Sequence, residues 1–180
     1  MTLTTSDVPG AQPVQVWSLH MLSPHWLRPV SARASNWQFQ VVDNDQDEQA
    51  AISAQLYRQV GQDWWWVDRA TWQQPQWQAW VQRPGHLLAL AMVEQDCAGY
   101  VELDRVGPNV EIAYFGLLAP WLGMGLGGWL LTQALRTAWQ FSGVQCVWVH
   151  TCSLDAPGAL RNYQARGMRI FRTDVEWRLT

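Results

Sequence analysis

The sequence predicts a mixed α/β (α+β) fold in which helices flank one central sheet. Apolar segments with the two-residue period or continuous pattern of strands are interspersed with segments of helical periodicity. The chain has 180 residues, enough for one domain with a substantial core. It is 48% hydrophobic and 15% charged, so we expect it to fold rather than remain disordered. We therefore interpret residues 1–180 as a single domain.

In the first half, a loosely alternating segment and a second apolar segment predict two strands. A helix follows, because acidic residues crowd its start, where they suit the helix dipole, and Gly61 ends it. After a loop rich in tryptophan, Pro75 suits the first turn of a second helix. In chain order these elements span residues 14–22, 36–42, 43–61, 63–72 and 74–85.

In the second half, a turn at Gln95 and Asp96 predicts a hairpin. The next strand is apolar on both faces after Glu111, which indicates a central position in the sheet. A longer helix, a second buried strand, a short helix and a final strand or hairpin follow. In chain order these elements span residues 86–106, 110–118, 126–141, 144–151, 156–167 and 168–180.

Composition excludes several classes of protein. The net charge of −3 argues against binding nucleic acid, which requires a basic patch. The chain contains no lysine, so a Walker A loop and a Schiff-base lysine are impossible. Its three cysteines lack metal-ligand spacing, so we expect no metal and a reducing cytoplasm. No apolar segment reaches the ~20 residues needed to span a bilayer, and residues 1–15 do not resemble a signal peptide.

The segment "WLGMGLGGWLL", residues 121–131, combines four glycines with the start of an apolar helix. One interpretation is purely structural, because glycine allows a strand to turn sharply into a helix. Gly123, Gly125 and Gly128 also match a dinucleotide fingerprint, but that motif normally opens the first βαβ unit. The third interpretation is a pyrophosphate site made of backbone N–H groups and the helix dipole, which needs no cation.

The segment "EIAYFGLLAPWLGMGLGGWLLTQAL" resembles the acetyl-CoA-binding motif of the GNAT N-acetyltransferase superfamily. In that motif a strand enters a loop of the form Arg/Gln-x-x-Gly-x-Gly/Ala and then a long helix. Gly125 and Gly127 fall on the motif glycines. Leu122 therefore occupies the usual Arg or Gln position, and Met124 occupies one that is often basic. The resemblance implies that backbone amides carry most of the pyrophosphate binding.

A downstream segment, "DAPGALRNYQARGM", resembles the next block of the same superfamily. Ala159, Tyr163 and Gly167 fall on its Ala, Tyr and Gly positions. The resemblance covers residues 86–180 well, and the first 85 residues match only in the order of elements. It implies a mixed, splayed central sheet with an extra N-terminal strand, an acetyl-CoA-binding core at about 86–180 and an acceptor side at about 14–85.

The resemblance also implies roles for individual residues. Backbone groups of Leu117 and Leu118 would bind pantetheine and polarise the thioester, Tyr163 would protonate the departing thiolate, and Glu111 would be the base, with His150 as its rival. Acetyl-CoA would be the cosubstrate. The predicted cofactor-binding residues are Phe115, Leu117, Leu118, Leu122, Gly123, Met124, Gly125, Leu126, Gly127 and Gly128.

In the superfamily, the helices before the hairpin form a wall of the acceptor pocket. Here that region is rich in tryptophan and carries acidic residues, which suit an amine. Trp77 and Trp80, three apart on a short helix, are expected to fill core instead. The predicted acceptor-binding residues are Trp64, Trp65, Trp66, Asp68, Trp72 and His150.

The sequence therefore predicts an N-acetyltransferase that transfers acetyl from acetyl-CoA to a small primary amine in a ternary complex. Three alternatives stay open: a non-catalytic acyl-CoA-binding module, a protein or peptide N-acetyltransferase, and a transferase of longer acyl chains. Exposed tryptophans would favour a homodimer.

Overall fold

The computed structural model describes residues 10–43 and 45–179. Part of the segment examined for a signal peptide, residues 1–9, therefore lies outside the described residues. Single turns of 3₁₀-helix lie at Pro24–Trp26 and Ala119–Trp121. The strands and α-helices are β1 (Ala11–Met21), β2 (Trp37–Val41), α1 (Gln46–Gly61), α2 (Gln74–Val81), β3 (His86–Val93), β4 (Asp96–Val106), β5 (Asn109–Leu117), α3 (Leu126–Ala138), β6 (Cys146–Cys152), α4 (Ala159–Ala165) and β7 (Arg169–Leu179).

All of these strands belong to one mixed sheet in the order β2-β3-β4-β5-β6-β1-β7. Strands β5 and β6 are parallel, and the other neighbours are antiparallel. The extra N-terminal strand predicted from the sequence is confirmed. It lies inside the sheet, where β1 pairs with β6 on one side and with β7 on the other.

The sheet is splayed between β5 and β6, as predicted. Their pairing is limited to Asn109–Glu111 with Cys146–Trp148. Beyond Glu111, β5 continues to Leu117 beside β4 alone, because the parallel strand β6 diverges from it. Backbone groups on that side of β5 are therefore left without a neighbouring strand.

Both faces of the sheet are covered by helices. Successive strand residues face opposite sides, and on β4 Val101 and Leu103 belong to the core that contains α3. Tyr100, the residue before Val101, faces the opposite side and packs with residues of α1. Trp77 and Trp80 of α2 are 1% and 5% exposed, which confirms their predicted core positions.

Several element boundaries differ from the sequence prediction. Helix α1 begins at Gln46 rather than residue 43, because the Asp45 carboxylate accepts from the N–H groups of Asp47 and Glu48 and caps the helix. The hairpin turn lies at Glu94 and Gln95, one residue earlier than expected. The final element is one strand, since β7 pairs along its length with β1. In the described ranges, no helix is long and apolar enough to cross a bilayer.

Candidate active site

A cavity of about 890 Å³ opens where β5 and β6 diverge. Its walls come from the exposed side of β5, the glycine loop before α3, the end of β6, the start of α4 and the loop that follows α1. Most of the predicted site residues line it, namely Trp64, Trp65, Trp66, Asp68, Phe115, Leu117, Leu122, Gly123, Gly125, Gly127, Gly128, His150 and Tyr163. The fold therefore brings together residues that are far apart in the sequence.

The glycine loop enters α3 through left-handed backbone. Gly123 and Gly125 have φ values of 79° and 87°, a region that L side chains disfavour. Gly125 caps α3 without any side-chain hydrogen bond, so the first N–H groups of the helix are left for another acceptor. The Leu126 side chain is buried in the core and the Met124 side chain is half-exposed outside the cavity. For Leu126, only the backbone is available to a ligand at the loop.

The start of α3 is also held from α4. The Asn162 side-chain amide donates to the Gly127 carbonyl at 3.1 Å. This contact fixes the first turn of α3 relative to the helix that carries Tyr163. The sequence analysis missed Asn162, although it is adjacent to Tyr163 within the second motif.

The splay leaves particular backbone groups of β5 unpaired. The Leu118 N–H donates to the Ala98 carbonyl at 2.9 Å, so this residue faces β4. Since hydrogen-bonded and non-hydrogen-bonded pairs alternate in an antiparallel ladder, Leu117 and Phe115 point their backbone groups away from β4 into the splay. The predicted role of Leu118 needs this correction, because its N–H is already bonded. Phe115 and Leu117 are the residues with backbone groups toward the cavity.

Tyr163 lies on α4 and lines the cavity, although its side chain is only 5% exposed. Its ring packs against Phe115, with ring centroids 5.9 Å apart. Burial, reinforced by the nearby Asp155 charge, raises the pKa of the phenol well above its ordinary value. The hydroxyl therefore stays protonated at neutral pH and can donate a hydrogen bond.

The two candidate bases form a pair. His150 Nδ1 lies 3.4 Å from Glu111 Oε1, because these residues occur on β6 and β5 close to the point where the strands separate. The interaction with Glu111 raises the pKa of His150 despite partial burial, and the Asp155 and Asp68 charges act in the same direction. His150 lines the cavity, whereas Glu111 is not among its lining residues. The imidazole is thus the group of the pair that faces the cavity.

Cys152 also lines the cavity, two residues after His150 on β6. Burial, together with the Asp155 charge, raises the pKa of its thiol. Asp155 accepts hydrogen bonds from the Cys152 N–H and from the Thr151 hydroxyl, which holds this carboxylate beside the thiol. Because the thiolate is the nucleophilic form, this environment disfavours an acetyl-cysteine intermediate.

The acceptor side of the cavity consists of the loop after α1. Trp64, Trp65, Trp66 and Asp68 line it, and Trp66 also packs on the rings of Tyr57, Tyr100 and Tyr114. Trp72, which was predicted here, instead packs on Trp77, with ring centroids 5.1 Å apart, outside the cavity. The short loop places Trp72 toward α2 because α2 begins two residues later.

A buried polar cluster lies behind this aromatic wall, and we call it the Glu102 cluster: Glu102, His86, Trp80 and Ser53. Glu102 is fully buried and accepts hydrogen bonds from Ser53 Oγ at 2.6 Å and from the Trp80 indole, with His86 Nε2 at 3.0 Å. Burial alone would raise the pKa of Glu102, but these partners hold it below its ordinary value. The carboxylate is therefore ionised inside the core.

An arginine lies between the Glu102 cluster and the cavity wall. The Arg69 guanidinium carbon is 3.6 Å from the Trp80 ring centroid, 4.3 Å from that of Trp72 and 4.6 Å from that of Tyr114. Such stacking favours a cation partly removed from water. The sequence analysis did not predict this arrangement, since the three rings come from three different elements.

The sequence analysis also missed several charged residues of the cavity. Arg33, Arg161, Arg178 and Asp155 line it in addition to the predicted residues. Asp155 and Arg161 lie within the second motif segment but not at its matched positions, and Arg178 lies outside both segments. Arg33 comes from the connection between β1 and β2, far along the chain from the glycine loop. Among the described residues, no group of three or more His, Cys, Asp or Glu is placed to hold a metal ion.

A mixed sheet that splays beside a glycine-rich helix start is the architecture of GNAT-type acyltransferases. The chain belongs to the acetyltransferase (GNAT) family, because a model of that family matches residues 53–168. No curated protein matches the sequence.

Solved structures show the same fold at low sequence identity. A GCN5-related N-acetyltransferase from Sphaerobacter thermophilus has a TM-score of 0.67 and 20% identity over 92% of this chain and 51% of its own. One from Kribbella flavida has a TM-score of 0.65 and 20% identity over 93% and 59%. An aminoglycoside acetyltransferase from an uncultured soil metagenomic sample has a TM-score of 0.60 and 15% identity over 73% and 87%. This chain thus spans little more than half of the length of the first two.

Proposed function

We propose that this protein is an N-acetyltransferase that uses acetyl-CoA to acetylate a primary amine of a small molecule, by direct attack in a ternary complex. The observation that carries the proposal is the single cavity at the splay. It combines a glycine loop that has no basic residue of its own, backbone groups of β5 that no strand pairs with, a protonated tyrosine and a histidine–glutamate pair. Membership of the family supports acetyl transfer in general. The identification of the acceptor as a small-molecule amine is part of this proposal.

The residues of the cavity fit acetyl-CoA. The unpaired N–H groups at the start of α3 suit a pyrophosphate, and glycine at this position keeps side chains away from it. The free backbone groups of Phe115 and Leu117 suit the amides of pantetheine and the thioester carbonyl. When bound, acetyl-CoA would supply the activated acetyl group. Donors aimed at a developing oxyanion contribute about 3 kcal/mol or more to the lowering of such barriers.

The proton-accepting and proton-donating side chains of the cavity suit amine acetylation. A protonated alkylamine must lose a proton before it can attack, because its pKa is near ~10. His150, held by Glu111, would accept that proton directly or through water, and Tyr163 would donate to the leaving thiolate. The raised pKa of Cys152 supports direct transfer over an acetyl-enzyme.

The acceptor wall suits a cationic small molecule. Trp64, Trp65 and Trp66 offer ring faces, and Asp68 offers a carboxylate on the same side of the cavity. The aminoglycoside acetyltransferase of the same fold illustrates a small-molecule amine as acceptor in this family. By analogy we expect a compact amine rather than a protein side chain.

The test is an amine panel incubated with acetyl-CoA and read by thiol release, with peptide amines included. We expect turnover on at least one small amine and none on peptides. Turnover only on peptides would replace the small-molecule acceptor with a protein one. Binding of CoA by calorimetry without turnover on any amine would favour the non-catalytic alternative, and no binding at millimolar CoA would reject the proposed function altogether.

A further inference from the structure

The glycine loop has no cation of its own, yet an arginine lies directly on it. Leu122 is uncharged at the position where the motif that the loop resembles has Arg or Gln. A Cβ built on Gly125 would lie 2.6 Å from Cζ and 2.8 Å from Nε of Arg33. The guanidinium therefore occupies the space that any side chain at residue 125 would take.

The segment that carries Arg33 is attached to the same helix start. The Val30 N–H donates to the Thr132 hydroxyl at 3.1 Å, and that hydroxyl donates to the Gly128 carbonyl at 2.8 Å. The Arg28 N–H donates to the Arg166 carbonyl at 3.0 Å, which ties the segment to the end of α4. These bonds hold the start of the connection between β1 and β2 against α3 and α4, three residues before Arg33.

The charge of Arg33 has no carboxylate partner among residues 10–43 and 45–179. Arg33 lines the cavity. Arg161 lines the cavity as well, and a Cβ on Gly128 would lie 2.6 Å from Nη1 of Arg166. The Arg166 Nε is buried, and it has no hydrogen-bond partner in the part of the chain that the structure describes. Several guanidinium groups beside unpaired backbone N–H groups suit an anion rather than a neutral ligand.

We propose that Arg33 binds the pyrophosphate of CoA and supplies the positive charge that Leu122 lacks. This inference rests on the proposed use of acetyl-CoA. The Arg33 guanidinium lies beside Gly125, the residue immediately before α3. The guanidinium and the free N–H groups of the first turn can therefore contact one phosphate group together. The pyrophosphate is the phosphate group that the glycine loop is expected to bind, which assigns Arg33 to it rather than to the 3′-phosphate.

The experiment compares Arg33→Gln with the wild type by calorimetry, using CoA and 3′-dephospho-CoA as ligands. Arg28→Gln is the matched control, because Arg28 belongs to the same exposed segment but borders a different, smaller cavity. We expect Arg33→Gln to weaken both ligands about tenfold, as a charge-assisted contact to phosphate would. Arg33→Lys should recover part of the lost affinity, since lysine keeps the charge but cannot make a bidentate contact to phosphate. The control should leave both affinities unchanged.

The possible outcomes separate the two proposals. If the wild-type protein binds CoA and Arg33→Gln binds it equally well, the role of Arg33 is rejected while acetyl-CoA use stands. If the variant loses affinity for CoA but not for 3′-dephospho-CoA, the assignment to the pyrophosphate is wrong. If the wild-type protein binds neither ligand, the proposed function and this inference are both rejected. Unchanged thermal unfolding of Arg33→Gln is expected, because the side chain is exposed.

Discussion

The two sides of the cavity are built in opposite ways. On the donor side, the glycine loop presents backbone N–H groups to open space beside arginines from other segments, with no side-chain cap on α3. On the acceptor side, rings and charges are interlocked, with the Glu102 cluster and Arg69 beneath the tryptophans. The donor side thus leaves hydrogen-bonding groups available to a ligand, whereas the carboxylate behind the acceptor wall is bonded by its neighbours. We therefore expect substitutions on the donor side to change function and those behind the acceptor wall to change stability.

The largest effect should come from Glu102→Ala. Removing the carboxylate leaves His86, Ser53 and the Trp80 indole without their shared buried partner, so we expect a loss of about 3–5 kcal/mol in the free energy of unfolding. Thermal or urea denaturation measures it. CoA affinity measured below the unfolding transition should be unchanged.

The matched control for this prediction is Asp174→Ala. Its ion pair with Arg172 is 2.6 Å long but exposed, so we expect a change of about 0.5 kcal/mol or less. If both variants lose similar stability, the buried cluster is no more important than a surface pair. Glu102→Gln, which keeps the shape of the side chain, should lie between the two.

Tyr163→Phe should have the next largest effect, on turnover. The ring contact with Phe115 remains, but the hydroxyl that would protonate the leaving thiolate is lost. We expect kcat to fall about 100-fold, within the usual range for general acid catalysis, with little change in CoA affinity or in unfolding temperature. Steady-state kinetics and calorimetry check this. Unchanged kcat would remove Tyr163 from the mechanism, and a large loss of stability would place it among the structural residues.

The smallest effect should be a shift in the pH profile of Glu111→Gln. Because Glu111 raises the pKa of His150 above its ordinary value of 6.5, kcat/KM of the wild type should rise with pH through that elevated pKa, as His150 loses its proton. In the variant the pKa falls toward 6.5, so the rise should occur at lower pH. Profiles of kcat/KM measured with one amine, whose own ionisation is the same in both, compare the two directly. A profile that does not move would show that the pair is not the base.

Most of the fold and part of the site could be predicted from the sequence. The glycine loop and the Tyr163 motif are local patterns, and their order along the chain was sufficient to indicate the family that the match over residues 53–168 shows. The extra N-terminal strand was also predicted, though its place between β6 and β7 was not. The helix ends were predicted less accurately, because whether a residue such as Asp45 caps a helix depends on the path of the chain before it. The proposed roles of Glu111, Tyr163 and the tryptophans stay predictions.

The sequence by itself determined the classes of element, the absence of lysine and the loop that needs glycine. Only the tertiary structure decided which side chains meet. It pairs Glu111 with His150, places Trp72 outside the cavity, bonds the Leu118 N–H to β4 and brings Arg33 onto Gly125. The physical reason is that helix and strand formation follow from local periodicity, whereas these contacts depend on strand order and on where two strands separate. No local pattern contains either of those.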